Sequence, residues 1–277
     1  MSGNTSIAEI LPENYRFLQQ HVYSQAGIVL EKDKAYLFET RLAPIVRELG
    51  LGTINELCEF IQTNRRIDVG HQVVEAMTTN ETYFFRDPAQ YDAIRKVLLP
   101  RLMEERQDTR KLRFWSAAAS TGQEAYSLAM LLIEAGLSGW DIQILGTDFS
   151  SKVLDRARSG NYQQIEVNRG LPAALLVKYF RRRDAEWQLS DAVRKMVSFE
   201  TIDLRSNLRA LGPFDLVFCR NVMIYFDAET KKKIMKELHG TLLRGGWLLL
   251  GGVETAFGLE ESFDRQSMGS TTVYIAR

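Results

Sequence analysis

The chain has 277 residues, with 35 Lys plus Arg against 35 Asp plus Glu for a formal net charge of zero, and 45% of its residues are hydrophobic. That is the composition of an ordinary globular protein of one or two domains with a sizeable core, and the charge balance excludes a chain basic throughout that coats nucleic acid. No apolar run approaches the roughly 18 residues of a membrane span, and the opening MSGNTSIAEI lacks a basic region followed by an apolar one, so the expectation is a cytoplasmic protein with no direct membrane insertion.

From Asn14 to about Glu75 the pattern is helical. Phe17, Leu18, Val22 and Tyr23 mark one segment, Tyr36, Leu37, Leu42, Ile45 and Leu49 a second, and Leu57, Phe60 and Ile61 a third. Gly27, Gly50 and Gly52 punctuate them as stops, which predicts a helical domain over residues 1–76. Its second helix carries Lys32, Lys34, Arg41 and Arg47, with Glu31, Asp33, Glu39 and Glu48 interleaved. The run reads either as a solvated face or as a basic docking surface.

Residues 77–88, MTTNETYFFRDP, have a poor helix pattern and a high density of polar and aromatic groups. They read as a linker lining a site, or as a connection with a buried aromatic anchor. A helix over Ala89–Glu105 leads to LRFWSAAASTGQEAYSLAMLL, residues 112–132. Here an apolar strand runs into small residues and then into a helix, an arrangement that brings free N–H groups to the carboxyl end of a strand. Thr121-x-x-Glu124 is equally a plain capping box.

A second strand, Asp141–Thr147, ends in Asp148. That acid is placed to accept ribose hydroxyls, or to cap the helix that begins near Ser150. Residues 161–196 are too long for a simple connection and read as an inserted subdomain with a hairpin and the run Arg181, Arg182 and Arg183. Strands follow at Val197–Asp203, Phe214–Asn221 and Trp247–Gly251, with a helix over Glu229–Leu243 stopping at Gly245 and Gly246, and a closing edge strand at Thr271–Ile275. The alternation makes residues 89–277 a doubly wound α/β domain. Two distant cysteines and three scattered histidines give no disulfide scaffold and no metal site.

The turn lacks the spaced glycines of a dinucleotide fingerprint and the Gly-Lys-Ser/Thr of a phosphate loop. A nucleoside carrying an amino acid fits better. Turn N–H groups meet a carboxylate, Glu124 an ammonium or sulfonium, and Asp148 a ribose; S-adenosylmethionine is such a ligand.

TTNETYFFRDP, WSAAASTGQEAYSLAM, FDLVFCRNVMIYFD and TTVYIAR together resemble the CheR family of chemotaxis receptor glutamate methyltransferases. The resemblance spans nearly the whole chain. It implies an S-adenosylmethionine methyltransferase fold, S-adenosylhomocysteine as product, no metal, and cytoplasmic receptor signalling helices as partners of a monomer. By resemblance, cofactor contacts come from Asn80, Thr82, Arg86, Glu124, Asp148, Asp203, Leu204, Arg220 and Asn221, with Arg86 and Tyr225 facing the transferred methyl as catalytic groups. Receptor docking falls to Lys34, Arg41 and Arg47.

Gln123 and Ala125 stand where the family usually has Glu and Pro, Asp203 stands where a close relative has Asn, and the insertion is shorter than in members that dock a receptor's carboxyl-terminal peptide. A carboxylate is already ionised at pH 7, so in-line attack on a sulfonium methyl needs no general base. Where amine methyltransferases commonly carry Asn or Asp followed by Pro-Pro and an aromatic, this chain has Arg220-Asn221-Val222-Met223. Two other readings are a cofactor-binding regulatory module without turnover and a methyltransferase for another acidic substrate.

Overall fold

Apolar residues at three- and four-residue spacing fold the first part of the chain into helices. The computed structural model describes residues 10–30, 35–64, 66–256, 258 and 260–277. Within them lie α1 (Pro12–Ala26), α2 (Ala35–Glu48), α3 (Ile54–Asn64) and α4 (Ile67–Met77). Leu18 and Val22, Phe38 and Leu42, Leu57, and Val73 and Val74 are buried, one set from each helix. Pro12 starts α1, where a missing N–H costs nothing. Gly27 ends it at φ +71°, its N–H donating to the Tyr23 carbonyl at 2.7 Å. The fourth helix was not separable in the sequence, because its start lies only two arginines beyond the third.

The chain divides into two compact units, residues 1–79 with 225–227, and residues 80–224 with 228–277. The short return segment is tied into the helical unit by the Val29 N–H on the Tyr225 carbonyl (2.8 Å) and the Tyr23 hydroxyl on Asp227 Oδ2 (2.7 Å).

The second unit opens with one interrupted helix: an α segment Pro88–Ala93, a π turn Ile94–Leu98, and an α segment Leu99–Glu105. Pro100 explains the interruption. It has no N–H, and its ring crowds the carbonyl of Lys96, so the helix widens and the Leu99 N–H donates five residues back, to Ile94.

The strands are β1 (Lys111–Ser116), β2 (Asp141–Asp148), β3 (Asn161–Gln163), β4 (Phe180–Arg183), β5 (Glu186–Leu189), β6 (Val197–Thr201), β7 (Phe214–Cys219), β8 (Leu242–Leu250), β9 (Phe263–Met268) and β10 (Thr271–Ala276). The main sheet runs β6-β2-β1-β7-β8-β10-β9, parallel from β6 through β8 and antiparallel thereafter. Every residue of β7 is buried, as expected of a central parallel strand covered on both faces. From β1 the chain winds outward to β2 and β6, then returns to β7 on the other side of β1. The strand order therefore reverses between β1 and β7, and a crevice opens beyond their carboxyl ends.

Two expectations are corrected here. Residues Thr271–Ala276 form an inner strand, and β9 is the edge; β9 escaped detection because only its first residue, Phe263, is buried. The helix after β7 ends at Gly240, and β8 starts at Leu242. Gly245 and Gly246 are thus strand residues, placed where the β7–β8 register shifts. The expected insertion is present: β3 joins the β4–β5 hairpin in a three-stranded antiparallel sheet, β3-β5-β4, with short helices Gln164–Val167, Ala173–Tyr179 and Asp191–Arg194.

Candidate active site

At the switch point the Ala117 N–H donates to the Phe218 carbonyl (2.8 Å), closing β1 against β7, and the Ala119 N–H donates to the Thr147 carbonyl (2.8 Å), closing it against β2. The turn leads into the helix Gln123–Glu134, whose N-cap is Gly122 at φ +93° with no side-chain cap. The capping-box reading fails: Glu124 turns inward instead. Its Oε1 accepts from Ser116 Oγ (2.6 Å) and its Oε2 from Arg220 Nη1 (3.0 Å).

Arg220 follows β7, and its side chain is 1% exposed. Nη2 donates to Asp87 Oδ2 and to the Arg86 carbonyl (2.7 Å). Burial raises the Glu124 carboxyl above its ordinary value, with Arg220 and Ser116 opposing. Burial also works against the charge on Arg220, but Glu124, Tyr91 and Asp87 more than offset it. One guanidinium thus bridges two carboxyl groups, and Arg86 also acts on Glu124.

The 77–88 segment is fastened to this cluster from several sides. Ser120 Oγ donates to the Asn80 carbonyl (2.9 Å), the Phe85 N–H donates to Ser127 Oγ (2.9 Å), and Arg86 Nη1 donates to the Glu81 carbonyl (2.9 Å). Thr82 is half-buried. Among the described residues, Phe85, Asp87, Ser120 and Asn221 take positive φ of +53°, +60°, +50° and +57°. Non-glycine backbone rarely adopts this region, and it persists where surroundings impose it, as at ligand sites.

The Asp148 carboxylate ties the turn after β1 to the start of the next helix. Oδ2 accepts the Ser120 N–H (2.9 Å), and Oδ1 accepts the N–H of Ser150, the N-cap of the next helix (3.0 Å). The Ile202 N–H on the Asp148 carbonyl (3.0 Å) brings the β6 end alongside. There Leu204 is buried, and Arg205 grips Asp203 through Nε to Oδ1 (3.0 Å) and Nη2 to Oδ2 (2.6 Å). Gly122 is closely packed, since a Cβ there would meet Ala157 Cβ at 2.9 Å and the Tyr126 ring at 3.1 Å.

Sequence reasoning missed four residues of this arrangement: Ser116, Asp87, Ser127 and Glu254. The Glu254 carboxylate is buried and accepts three backbone N–H groups, from Asn221 (2.7 Å), Met223 (2.8 Å) and Gly251 (2.7 Å). A Cβ on Gly251 would stand 2.6 Å from it. Asn221 Oδ1 is a buried acceptor with no hydrogen-bond partner among the described residues. Asp87 stood in plain view beside Arg86, but nothing local marks a partner 133 residues away.

The remaining predicted residues lie in the helical unit. Tyr225 ends a 3-10 turn Met223–Tyr225 and is half-buried. Lys34 lies outside the described residues. Arg41 is not the free docking cation expected: Nη1 donates to the carbonyls of Met77 (2.8 Å) and Thr78 (3.0 Å), and Nη2 to Thr79 Oγ1 (3.0 Å), covering the end of α4. Arg47 is exposed.

These features suit S-adenosylmethionine. The two carboxyl groups of Asp87 and Glu124 suit a cation, and the orphan Asn221 acceptor suits an N–H donor. The ends of β7, β1, β2 and β6 span about 14 Å, the scale of an extended nucleoside bearing an amino acid. The residues fit.

Residues 80–273 match the family described as "CheR methyltransferase, SAM binding domain", and residues 13–78 match "CheR methyltransferase, all-alpha domain". The chain is 38% identical to chemotaxis protein methyltransferase 1 of Pseudomonas aeruginosa, over 91% of this chain and 93% of that one. It is 36% identical to chemotaxis protein methyltransferase Cher2 of Pseudomonas putida, over 95% of this chain and 98% of that one. With chemotaxis protein methyltransferase 1 of Vibrio cholerae it shares 36% identity over 96% of this chain and 97% of that one.

Proposed function

The chain belongs to the CheR methyltransferase family, and from that premise we infer that it methylates glutamate side chains on the cytoplasmic signalling helices of chemotaxis receptors, forming methyl esters. S-adenosylmethionine supplies an electrophilic methyl on a sulfonium. The observation that carries the reading is the Asp87–Arg220–Glu124 cluster, buried at Arg220 and Glu124, whose hydrogen bond to the Arg86 carbonyl fixes Arg86 beside it.

In this reading Glu124 and Asp87 hold the cationic end of the donor, Asn221 accepts from it, Asp148 takes the ribose, and Asp203 with Leu204 takes the base. Asn80 and Thr82 border the donor from the 77–88 segment. Arg86 donates to the substrate carboxylate, which is the nucleophile, and Tyr225 adds a hydroxyl donor. No side chain needs to remove a proton. The rate enhancement comes from holding carboxylate and methyl in line in a site that sheds water. Of the docking cations, exposed Arg47 is retained, together with Lys34, which lies outside the described residues.

Incubation with tritiated S-adenosylmethionine and a receptor signalling fragment tests the proposal. Label released as methanol by alkali is the expected result. Alkali-stable label overturns the glutamate reading, and no transfer despite tight cofactor binding favours a regulatory module.

A further inference from the structure

The inserted subdomain carries a cation that the proposed reaction does not use. Gly170, at φ +78°, lies so close to the 77–88 segment that a Cβ there would stand 2.0 Å from the Phe84 carbonyl oxygen and 3.0 Å from the Tyr83 ring. Only glycine fits, so the turn is seated against the segment. Its neighbour Arg169 lays a guanidinium over the Tyr83 ring, Cζ 4.2 Å from the centroid, and Nη2 donates to Glu81 Oε1 at 2.7 Å.

Arg86 approaches the same ring, with Cζ 5.5 Å from its centroid. The two guanidinium groups therefore stand within about 10 Å of each other around one aromatic ring. The hydrogen bond from Arg169 holds the Glu81 carboxyl below its ordinary value, so Glu81 is ionised at neutral pH. Two cations against one anion leave this ledge positive. The Arg169 side chain is 53% exposed, and its fork has donors beyond the one spent on Glu81.

On an α-helix, side chains three, four or seven residues apart share a face and are separated by about 5–10 Å. We propose that Arg169 is a specificity-determining residue that receives a second carboxylate on an acidic substrate helix, one or two turns from the glutamate that Arg86 orients. The partner is thus an acidic helical segment, recognised by the spacing of two carboxylates. The inference rests on the glutamate reading above and on the assignment of Arg86.

The test uses the full chain, its Arg169→Gln variant, and receptor-helix fragments with a single target glutamate. Each fragment carries either Glu or Gln at a position three, four or seven residues from the target. The wild type is expected to prefer the second carboxylate at one of these spacings by about five-fold in kcat/KM, the scale of an exposed ion pair. That ratio should fall to about one in Arg169→Gln and shrink with added salt.

Equal kcat/KM across the fragments in the wild type overturns the proposal, as does a preference that survives Arg169→Gln. Calorimetry with S-adenosylhomocysteine separates selectivity from damage to the fold. If the preference and cofactor affinity are lost together, Arg169 is a tether for Glu81 and the proposal fails. If no fragment gains alkali-labile label from the wild type, the glutamate reading fails, and this inference falls with it.

Discussion

The second unit treats two arginines in opposite ways. Arg220 is 1% exposed and divides its hydrogen bonds among Glu124, Asp87 and a carbonyl, while Arg169 is 53% exposed and holds one carboxylate on an aromatic ledge. The buried cation has committed both Nη groups to the protein, with Nε a buried donor that has no partner among the described residues, so its first role is to organise other groups. An exposed one retains donors and gains little from its partner, which suits it to a substrate that must leave.

The largest expected break in that comparison is Arg220→Met, which strands two carboxylates, one of them buried. Urea unfolding should show a loss of about 3–5 kcal/mol, and S-adenosylhomocysteine binding should disappear in calorimetry. A loss below about 1 kcal/mol would place Arg220 with Arg169 as a weakly held cation.

Next comes Glu254→Gln, which preserves shape but turns an NH2 toward a backbone N–H. We expect a loss of about 1–3 kcal/mol. Because Glu254 holds the Asn221 backbone, its effect on S-adenosylhomocysteine affinity should be non-additive with Asn221→Ala in a double-mutant cycle. Additive effects would mean that the two residues act separately.

In the helical unit, Arg41→Ala uncovers the end of α4 and should cost about 1–2 kcal/mol in chemical denaturation. Arg47→Glu should stay within about 0.5 kcal/mol while weakening receptor methylation. Equal destabilisation by both would erase the distinction between a committed and a free cation there.

The smallest effect concerns protons. Burial raises the Glu124 carboxyl, so between the ordinary carboxylate range and its raised value the folded protein binds more protons than the unfolded chain. Glu124 therefore contributes a stability that falls as pH rises through that window. A cationic ligand favours the carboxylate, so cofactor binding in mildly acid solution should release a proton. Calorimetry in buffers of different ionisation enthalpy measures this, and Glu124→Gln should abolish the release.

The alternation of strands and helices was legible in the sequence, as were Glu124 and Asp148, because strand–turn–helix units announce where their carboxyl ends lie. What Glu124 does there was not legible. Thr121-x-x-Glu124 spells a capping box, and only the arrival of Arg220 from a strand 96 residues later turns the carboxylate inward. Glu254 gave no sign for the same reason, since its partners are backbone groups of two separate loops. β9 was hidden by its composition, with exposed residues where an alternating pattern would be read. Arg41 looked like a surface charge because a helix C-terminus 36 residues away has no sequence signature.

The inserted sheet ends on β4, which pairs with β5 on one side only and carries exposed Arg181, Arg182 and Arg183. Were two copies to join in solution by laying these strands side by side, six guanidinium groups would crowd along one seam. Their mutual repulsion keeps the ribbon from growing from one molecule into the next, so concentrated protein is protected against stacking at the margin where a bare backbone would otherwise invite it.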